Sequence, residues 1–162
     1  MQPRIDGRYV HKSTPGNVLL ASIEQRPDAE EWYDAEMVMD LEHPFFFEHS
    51  LDHIPAMMLV EAGRQLGIAI AHLFLGVPLG TMFATESFDI RFTEFAELDL
   101  PVRIEARVTE RQYRKGELLH LRLDGHFIQG EKPLGTMGGT WAMMRPELWR
   151  RYRRREQARL HE

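Results

Sequence analysis

The feature that most restricts the fold of this chain is a nearly unbroken apolar stretch at residues 56–75, AMMLVEAGRQLGIAIAHLFL. A helix that is apolar on every side is either buried in a protein core or spans a membrane. Burial is favoured here, because the stretch also contains Glu61, Arg64, Gln65 and His72. Pro55 suits the first helical turn, where its missing N–H would be unpaired anyway. The sequence therefore predicts one long buried helix, ended by Gly76, Pro78 and Gly80.

The rest of the chain is dominated by segments with the alternation or the residue types of β-strands. They lie at residues 17–25, 32–41, 81–95, 102–113, 118–128 and 134–144. Short turns join the later segments, so most of the sheet is expected to be antiparallel. Covering one helix on nearly all sides requires a strongly curved sheet wrapped around it. The predicted class is α+β, with a sheet edge that invites pairing with a second copy.

The absence of cysteine excludes several chemistries. With no cysteine among the 162 residues, the chain has no disulfides, no thiolate metal site and no cysteine nucleophile. The missing thiols fit a reducing compartment. The N-terminus shows no apolar signal stretch, and no run approaches the roughly 20 apolar residues of a membrane span. We therefore expect a cytoplasmic protein.

Charge is distributed unevenly along the chain. Seven arginines against three glutamates give residues 145–162 a local charge of +4. Since the whole chain carries −5, the remaining 144 residues carry −9 (−5 minus +4). A basic tail on an acidic body can bind nucleic acid or an acidic protein, although a solvated amphipathic helix is the more frequent outcome.

Residues 45–66, FFFEHSLDHIPAMMLVEAGRQL, concentrate the groups that can perform chemistry. His49 and His53 lie four residues apart just before the long helix, and Glu61 lies on it. The N–H groups of Ala56 and Met57 are unpaired donors at the helix start, where the helix dipole favours negative charge. A thioester carbonyl polarised there, beside a histidine and a carboxylate, would form a site for acyl chemistry.

The same residues also have a structural interpretation. Glu61 shares a helical face with Arg64 and Gln65, so it can equally be a buried carboxylate with an ion-pair partner. His49 can order its loop, and His53 can pack at the helix start. The segment HSLDH lacks the internal glutamate of the zinc protease motif, and we predict neither a metal nor a cofactor.

The sequence resembles the A-factor biosynthesis hotdog family, whose members act in γ-butyrolactone signal synthesis. The resemblance rests on residues 10–12 (VHK), 17–20 (NVLL), 45–65 (FFFEHSLDHIPAMMLVEAGRQ) and 88–102 (FDIRFTEFAELDLPV). It implies the hotdog fold, a curved antiparallel sheet wrapped around one central helix. It also implies transfer of a β-ketoacyl group from an acyl-carrier-protein thioester to the hydroxyl of dihydroxyacetone phosphate.

The wider hotdog superfamily includes acyl thioesterases and 3-hydroxyacyl-carrier-protein dehydratases, and the chain resembles the dehydratases more distantly. The aromatic pair at residues 45–46, His49 and Glu61 follow the dehydratase order. That resemblance implies His49 as base and Glu61 as acid, from opposite subunits of a dimer. The spacing from His49 to the helix is shorter than in the dehydratases, so His53 competes with His49 for this role.

We therefore expect residues 1–162 to form a single hotdog domain, with an N-terminal arm at 1–16 and a basic C-terminal helix at 145–162. Enzymes of the signal pathway usually carry two hotdog domains in tandem, so this single domain is expected to complete its site in a homodimer. Catalytic roles are predicted for Glu61, His49 and His53. Substrate-binding roles are predicted for Arg64, Gln65, Ala56, Met57 and Phe46.

Three functions stay open on the sequence alone. The first is acyl transfer from a carrier-bound thioester to a hydroxyl acceptor. The second is dehydration of a 3-hydroxyacyl thioester, or thioester hydrolysis, on the same fold. The third is a non-catalytic acyl-binding or scaffold protein whose basic tail docks an acidic carrier protein. The expected partners are an acyl-carrier protein or coenzyme A thioester and a second copy of the chain, with no nucleic acid and no membrane.

Overall fold

A six-stranded antiparallel sheet and one central helix form most of the molecule. The computed structural model describes residues 2–160, so the ends of the predicted domain (Met1, His161 and Glu162) lie outside the described residues. The strands are β1 (Leu20–Arg26), β2 (Ala29–Met37), β3 (Met82–Phe92), β4 (Val102–Arg114), β5 (Glu117–Gln129) and β6 (Lys132–Met144). The helices are α1 (Ala56–Phe74) and α2 (Pro146–Arg159). The strands pair in the order β1-β2-β4-β5-β6-β3, and every pairing is antiparallel, which confirms the predicted α+β class.

Helix α1 is the centre of the core, as its apolar sequence predicts. It packs against β1, β3, β5 and β6, and Leu66, Ile68 and Ile70 on it are at most 1% exposed. Full burial of each such side chain contributes roughly 1.5–3 kcal/mol to folding. A Cβ added at Gly67 would lie 2.5 Å from the ring of Trp141 on β6. Glycine therefore allows the indole to lie directly against the helix backbone and brings helix and sheet close together.

The element boundaries agree closely with the sequence at α1 and less closely in the first hairpin. Helix α1 ends at Phe74, one residue before the predicted end. Strand β1 begins at residue 20 instead of 17, because residues 15–17 form a turn of 3₁₀ helix. Strand β2 begins at residue 29 and ends at residue 37, whereas the sequence predicted 32–41. The residues after 37, which were predicted to continue the strand, therefore form a loop. The turn between β1 and β2 is only two residues long.

The N-terminal arm packs on the domain. The backbone N–H of Ile5 donates to the carbonyl of Leu20 at 3.0 Å, and Val10 is fully buried. The guanidinium of Arg4 lies 2.8 Å from the carboxylate of Asp40. These contacts anchor the described part of the arm, from residue 2 onward, on the surface of the domain, with Val10 inserted into the core.

Strands β1 and β3 are the two edges of the sheet, since each pairs with one neighbour within residues 2–160. Helix α2 follows β6 and carries no buried residue. None of the helices in the described chain has the length and hydropathy that a membrane crossing needs.

Candidate functional site

The polar side chains of α1 form one hydrogen-bonded cluster around Glu61. The guanidinium of Arg64 donates to both carboxylate oxygens, at 2.8 and 2.9 Å. The Nε2 group of Gln65 donates to Oε1 at 3.0 Å, and Nζ of Lys12 lies 2.7 Å from the same oxygen. The predicted i, i+3, i+4 face is therefore real, and it gains one cation from the N-terminal arm.

These donors determine the protonation state of Glu61. Burial opposes ionisation of the carboxyl, but hydrogen bonds from Arg64, Gln65 and Lys12 outweigh it and lower its pKa from 4.5 to about 2. At neutral pH the side chain is an ionised, weakly basic carboxylate whose oxygens are occupied. It is therefore suited to holding Lys12 and Arg64 in place and poorly suited to accepting or donating a proton.

Gln65 connects this cluster to the first strand. Its side chain is fully buried, and its Oε1 accepts the backbone N–H of Leu19 at 2.9 Å. Its Nε2 group also donates to the carbonyl of Asn17 at 2.8 Å. Because buried polar groups must be paired, Gln65 fixes the turn that precedes β1 onto α1. Gln65 therefore holds Glu61 from the side away from the pocket and does not line either pocket itself.

The first turn of α1 offers unpaired backbone donors. Pro55 is the N-cap residue and makes no side-chain capping bond. Ala56 and Met57 are exposed at the start of the helix, with the Met57 side chain 58% exposed. Their N–H groups point out of a 19-residue helix at the positive end of its dipole. This end of α1 therefore matches the predicted place for a polarised carbonyl oxygen.

Two pockets flank this first turn. The His53 pocket, about 340 Å³, is mainly apolar, and its lining includes His53, Ala56, Leu59, Phe92 and Phe95. The Glu61 pocket, about 440 Å³, is lined by Lys12, Asn17, His43, Phe45, Phe46, Met57, Val60 and Glu61. The N–H groups of Ala56 and Met57 thus lie between a mainly apolar pocket on one side and a charged pocket on the other.

The two candidate histidines differ in their surroundings. Nδ1 of His53 lies 2.7 Å from a carboxylate oxygen of Asp52, and its ring centroid lies 4.8 Å from that of Phe95. Because an ionised carboxylate only accepts, Nδ1 is the protonated nitrogen of a neutral His53, which leaves Nε2 as the basic one. The hydrogen bond from His53 lowers the pKa of Asp52. His49 is exposed and lines neither pocket.

The structure therefore divides the predicted site residues into three groups. Glu61, Met57 and Phe46 line the Glu61 pocket, with Arg64 and Gln65 bonded to Glu61 from behind. His53 and Ala56 line the other pocket. His49 joins neither group. No trio of His, Asp and Glu side chains within residues 2–160 is arranged to hold a metal ion.

Sequence reasoning missed His43 and named Lys12 only as part of the VHK segment of the family resemblance. His43 is 4% exposed; its Nδ1 accepts the N–H of Phe45, and its Nε2 donates to Oδ1 of Asn17, both at 3.2 Å. Its ring lies 4.6 Å from that of Phe46 and so orders the aromatic wall of the Glu61 pocket. The usable signal was a histidine and a proline directly ahead of the aromatic run at residues 45–47, although nothing in the spacing pairs His43 with Asn17.

A pair of histidines lies next to this cluster. Nδ1 of His72 donates to the carbonyl of Val77 at 2.9 Å, so a neutral His72 presents its Nε2 lone pair to Nε2 of His11, 3.0 Å away. Burial, then the neighbouring His72 and Arg64, lower the pKa of His11. The pair links the arm to α1.

A family model described as the A-factor biosynthesis hotdog domain matches residues 2–145. The chain belongs to this family. The predicted resemblance and the predicted hotdog fold are both confirmed, because the curved antiparallel sheet around α1 is also the architecture of solved hotdog proteins. The match ends one residue before α2 begins.

Curated relatives of this family include two enzymes named 2-oxo-3-(phosphooxy)propyl 3-oxoalkanoate synthase. The one from Streptomyces virginiae is 34% identical over 76 residues, covering 47% of this chain and 22% of the relative. The one from Streptomyces coelicolor (strain ATCC BAA-471 / A3(2) / M145) is 34% identical over 90 residues, covering 54% of this chain and 25% of the relative. The alignments thus span about a quarter of these longer relatives.

Solved structures with the same fold are much less similar in sequence. A hot-dog-like protein from Thermanaerovibrio acidaminovorans has a TM-score of 0.59 and 11% identity, over 77% of this chain and 89% of the other. A putative thioesterase from Ralstonia eutropha JMP134 has a TM-score of 0.56 and 15% identity, over 75% and 83%. A hypothetical thioesterase from Streptococcus pneumoniae TIGR4, solved with coenzyme A, has a TM-score of 0.52 and 13% identity, over 76% and 89%.

Proposed function

We propose that the chain is an acyl-thioester-processing enzyme that transfers a β-ketoacyl group from a carrier-bound thioester to a hydroxyl acceptor. The observation that carries the proposal is the uncapped first turn of α1 between an apolar pocket beside His53 and a charged pocket beside Glu61. The names of the two Streptomyces relatives support it, since their product joins a 3-oxoalkanoate to a phosphooxy-bearing group.

The proposed role of the helix start is to stabilise negative charge. When a hydroxyl attacks a thioester, the carbonyl oxygen becomes an oxyanion in the tetrahedral intermediate. The N–H groups of Ala56 and Met57 are donors fixed by the helix and need no rearrangement to bind it. Removing one such donor typically slows an acyl-transfer enzyme by about 10²–10³-fold.

The proposed base is His53. Its Nδ1–H, bonded to Asp52, leaves Nε2 to take the proton from the attacking hydroxyl. The hydroxyl oxygen then bonds to the thioester carbon, the carbon–sulfur bond breaks, and the leaving thiolate receives the proton from His53. Glu61, with its low pKa, positions Lys12 and Arg64 in this scheme instead of accepting the proton.

The low pKa of Glu61 also supports transfer over dehydration. Dehydration of a 3-hydroxyacyl thioester needs a protonated acid beside the leaving hydroxyl. A carboxyl whose pKa is about 2 is ionised at neutral pH and does not supply that proton. The surroundings of Glu61 therefore favour transfer, with hydrolysis as the same chemistry when water replaces the acceptor.

We further propose that the active form is a homodimer in the cytoplasm. Edge strand β3 is open for pairing, and exposed apolar side chains surround the α1 start: Phe45 is 72%, Met57 58% and Phe95 69% exposed. Such a concentration of exposed apolar surface is typical of an interface. The reducing conditions of the cytoplasm suit a chain with no cysteine.

Mass spectrometry of reaction mixtures tests the function. The purified protein is incubated with β-ketoacyl-, 3-hydroxyacyl- and saturated acyl-carrier protein, each with and without dihydroxyacetone phosphate. We expect release of the free carrier thiol from the β-ketoacyl donor and a new ester only when the acceptor is present. Loss of water from the 3-hydroxyacyl donor alone would contradict transfer, and release without an ester would indicate hydrolysis.

A further inference from the structure

Helix α2 lies outside the domain that defines the family. The family match ends at residue 145, and α2 spans Pro146–Arg159. It contains six arginines and two glutamates, a charge of +4, on a chain whose total is −5. No residue of α2 is buried, so packing of the core does not explain its composition.

The arginines of α2 form one continuous surface. At 100° per residue, Arg150, Arg151, Arg153, Arg154 and Arg155 occupy an arc of about 200°, and all five are exposed. We call this arc the arginine face. Within residues 2–160, the only ion pair inside α2 joins Arg159 to Glu156, at 3.0 Å. The arginine face is therefore an unneutralised positive surface.

The opposite side of α2 is turned toward the sheet. Leu148, Trp149 and Tyr152 line a groove of about 710 Å³ between α2 and the ends of β3, β5 and β6. Arg145, just before α2, pairs with Glu117 at the start of β5. The aromatic side of α2 therefore faces the groove beside its own domain, and the arginine face lies on the other side of the helix.

We propose that the arginine face is the docking surface for an acidic acyl-carrier protein that delivers the thioester. The inference rests on the proposed function for the identity of the cargo, and on charge complementarity for the surface. The rest of the chain carries −9 and repels an acidic partner, so α2 is the place where such a partner gains attraction.

A compact partner fits this surface better than an extended polyanion. Helix α2 is about 21 Å long, the width of a small protein domain. A nucleic acid or an anionic membrane reaches beyond the helix and meets the acidic body as well. Insertion into a membrane also needs a broad free apolar face, whereas the apolar side of α2 is limited to Leu148, Trp149 and Tyr152, which line the groove and leave Leu148 50% and Tyr152 48% exposed.

The proposed dimer places the arginine face of one copy near the His53 pocket of the other. Antiparallel pairing of two β3 strands about their middle sets residues 82–86 of one copy beside residues 88–92 of the other. Ala84 and Glu86 line the α2 groove, and Phe92 lines the His53 pocket. The α2 helix of each copy therefore lies at the end of β3 nearest the His53 pocket of the other copy.

Matched charge-reversal variants test the docking surface. The first variant carries Arg150→Glu and Arg154→Glu, one turn apart on the arginine face. The control carries Arg107→Glu and Arg111→Glu, two exposed arginines of β4 that are also four residues apart. Each protein receives the same β-ketoacyl group on acyl-carrier protein and on N-acetylcysteamine, which has no protein to dock. Binding of holo-carrier protein is measured in parallel by calorimetry, which needs no turnover.

For the α2 variant we expect KM for the carrier-bound donor, and the calorimetric Kd, to rise on the order of tenfold, with the N-acetylcysteamine reaction unchanged. The control is expected to change neither value more than about twofold. Unchanged carrier affinity in the α2 variant, or equal weakening in both variants, would overturn the docking surface. Tighter binding of α2 to single-stranded RNA or to phosphatidylserine vesicles than to carrier protein would also overturn it. If wild type turns over neither donor, the proposed function fails, while the calorimetric comparison still decides the docking.

Discussion

The two halves of α1 have the same secondary structure and different surroundings. From Leu66 to Ala71 every residue is buried, and Gly67 lies against the ring of Trp141. From Ala56 to Gln65 the helix carries exposed, half-buried and charged residues, and its first N–H groups lack a side-chain cap. Both halves contribute to the core, since Met58 and Ala62 in the first half are also fully buried, but only the first half carries the candidate site as well. Truncating the apolar side chains of the core half should therefore cost the most stability. Substitutions of the polar residues in the site half should cost less stability and should also change turnover where the residue takes part in the reaction.

The largest loss of stability is expected from Ile70→Ala in the core half. Ile70 is fully buried, and truncating such a side chain removes apolar contacts and leaves a cavity, at a cost of about 3–4 kcal/mol. Urea unfolding at neutral pH measures the loss. Leu79→Ala is the control, because Leu79 is 47% exposed and should lose less than about 0.5 kcal/mol. Equal losses would show that α1 is not the centre of the core.

Gln65→Leu tests the boundary between the two halves. Leucine has a similar size but leaves the N–H of Leu19 without its 2.9 Å partner in a buried place. The expected cost is about 2 kcal/mol in the free energy of unfolding. A Gln65→Glu variant, which keeps the acceptor oxygen but adds a charge beside Glu61, separates the lost hydrogen bond from electrostatic repulsion. If the leucine variant is as stable as wild type, Gln65 does not fix the first strand.

Acid titration tests the charged part of the site half. The pKa of Glu61 is lowered in the folded state to about 2, so its stabilising contribution is complete above 4.5 and is lost as pH falls from about 4.5 toward 2. Solvent screening limits this contribution to the order of 2 kcal/mol. Glu61→Gln should be less stable at pH 7 by this amount, and the difference from wild type should shrink in acid. A difference that does not change with pH would contradict the ionised cluster.

The smallest change in stability, with a large change in activity, is expected for His53→Ala. His53 lies at the pocket wall before the helix, so its loss should cost less than about 0.5 kcal/mol. Loss of a general base should slow the proposed transfer about 10²–10⁴-fold. Asp52→Asn, which keeps the shape but weakens the orientation of His53, is expected to give an intermediate rate. A His53→Ala protein with wild-type kcat would assign the base to another residue.

Much of this fold follows from sequence patterns alone. The apolar stretch predicts α1 to within one residue at its end, because local composition decides where a buried helix stops. The start of β1 was missed because Asn17 is held by Gln65, 48 residues later, and local alternation carries no record of that contact. Short-range periodicity therefore predicts where helices and strands lie, but it does not predict the long-range contacts that shift their boundaries.

The same distinction applies to the candidate site. The contacts of Glu61 with Arg64 and Gln65 follow from helical spacing. The contact of Lys12 with Glu61 joins residues 49 positions apart, and only the packed arm brings them together. Hydrogen bonds from Arg64 and Gln65 lower the pKa of Glu61 most, and Lys12 adds to them. Helical spacing predicts the first two contacts but not that, with Lys12, they outweigh burial, so the sequence alone left the carboxylate open as a general base. The division into two pockets likewise depends on how the loop before α1 folds back.

The most direct test of the central claim replaces Ala56, the first residue of α1. Ala56→Pro removes one backbone N–H that the helix does not use, and the extended backbone of Pro55 (ψ 135°) suits a following proline. Ala56→Val is the control, with similar bulk and the N–H kept. We expect all three proteins to unfold within about 0.5 kcal/mol of one another. The proline variant alone should transfer the β-ketoacyl group about 10²–10³-fold more slowly than wild type. Equal rates in the proline and valine variants would contradict a thioester site at the start of α1.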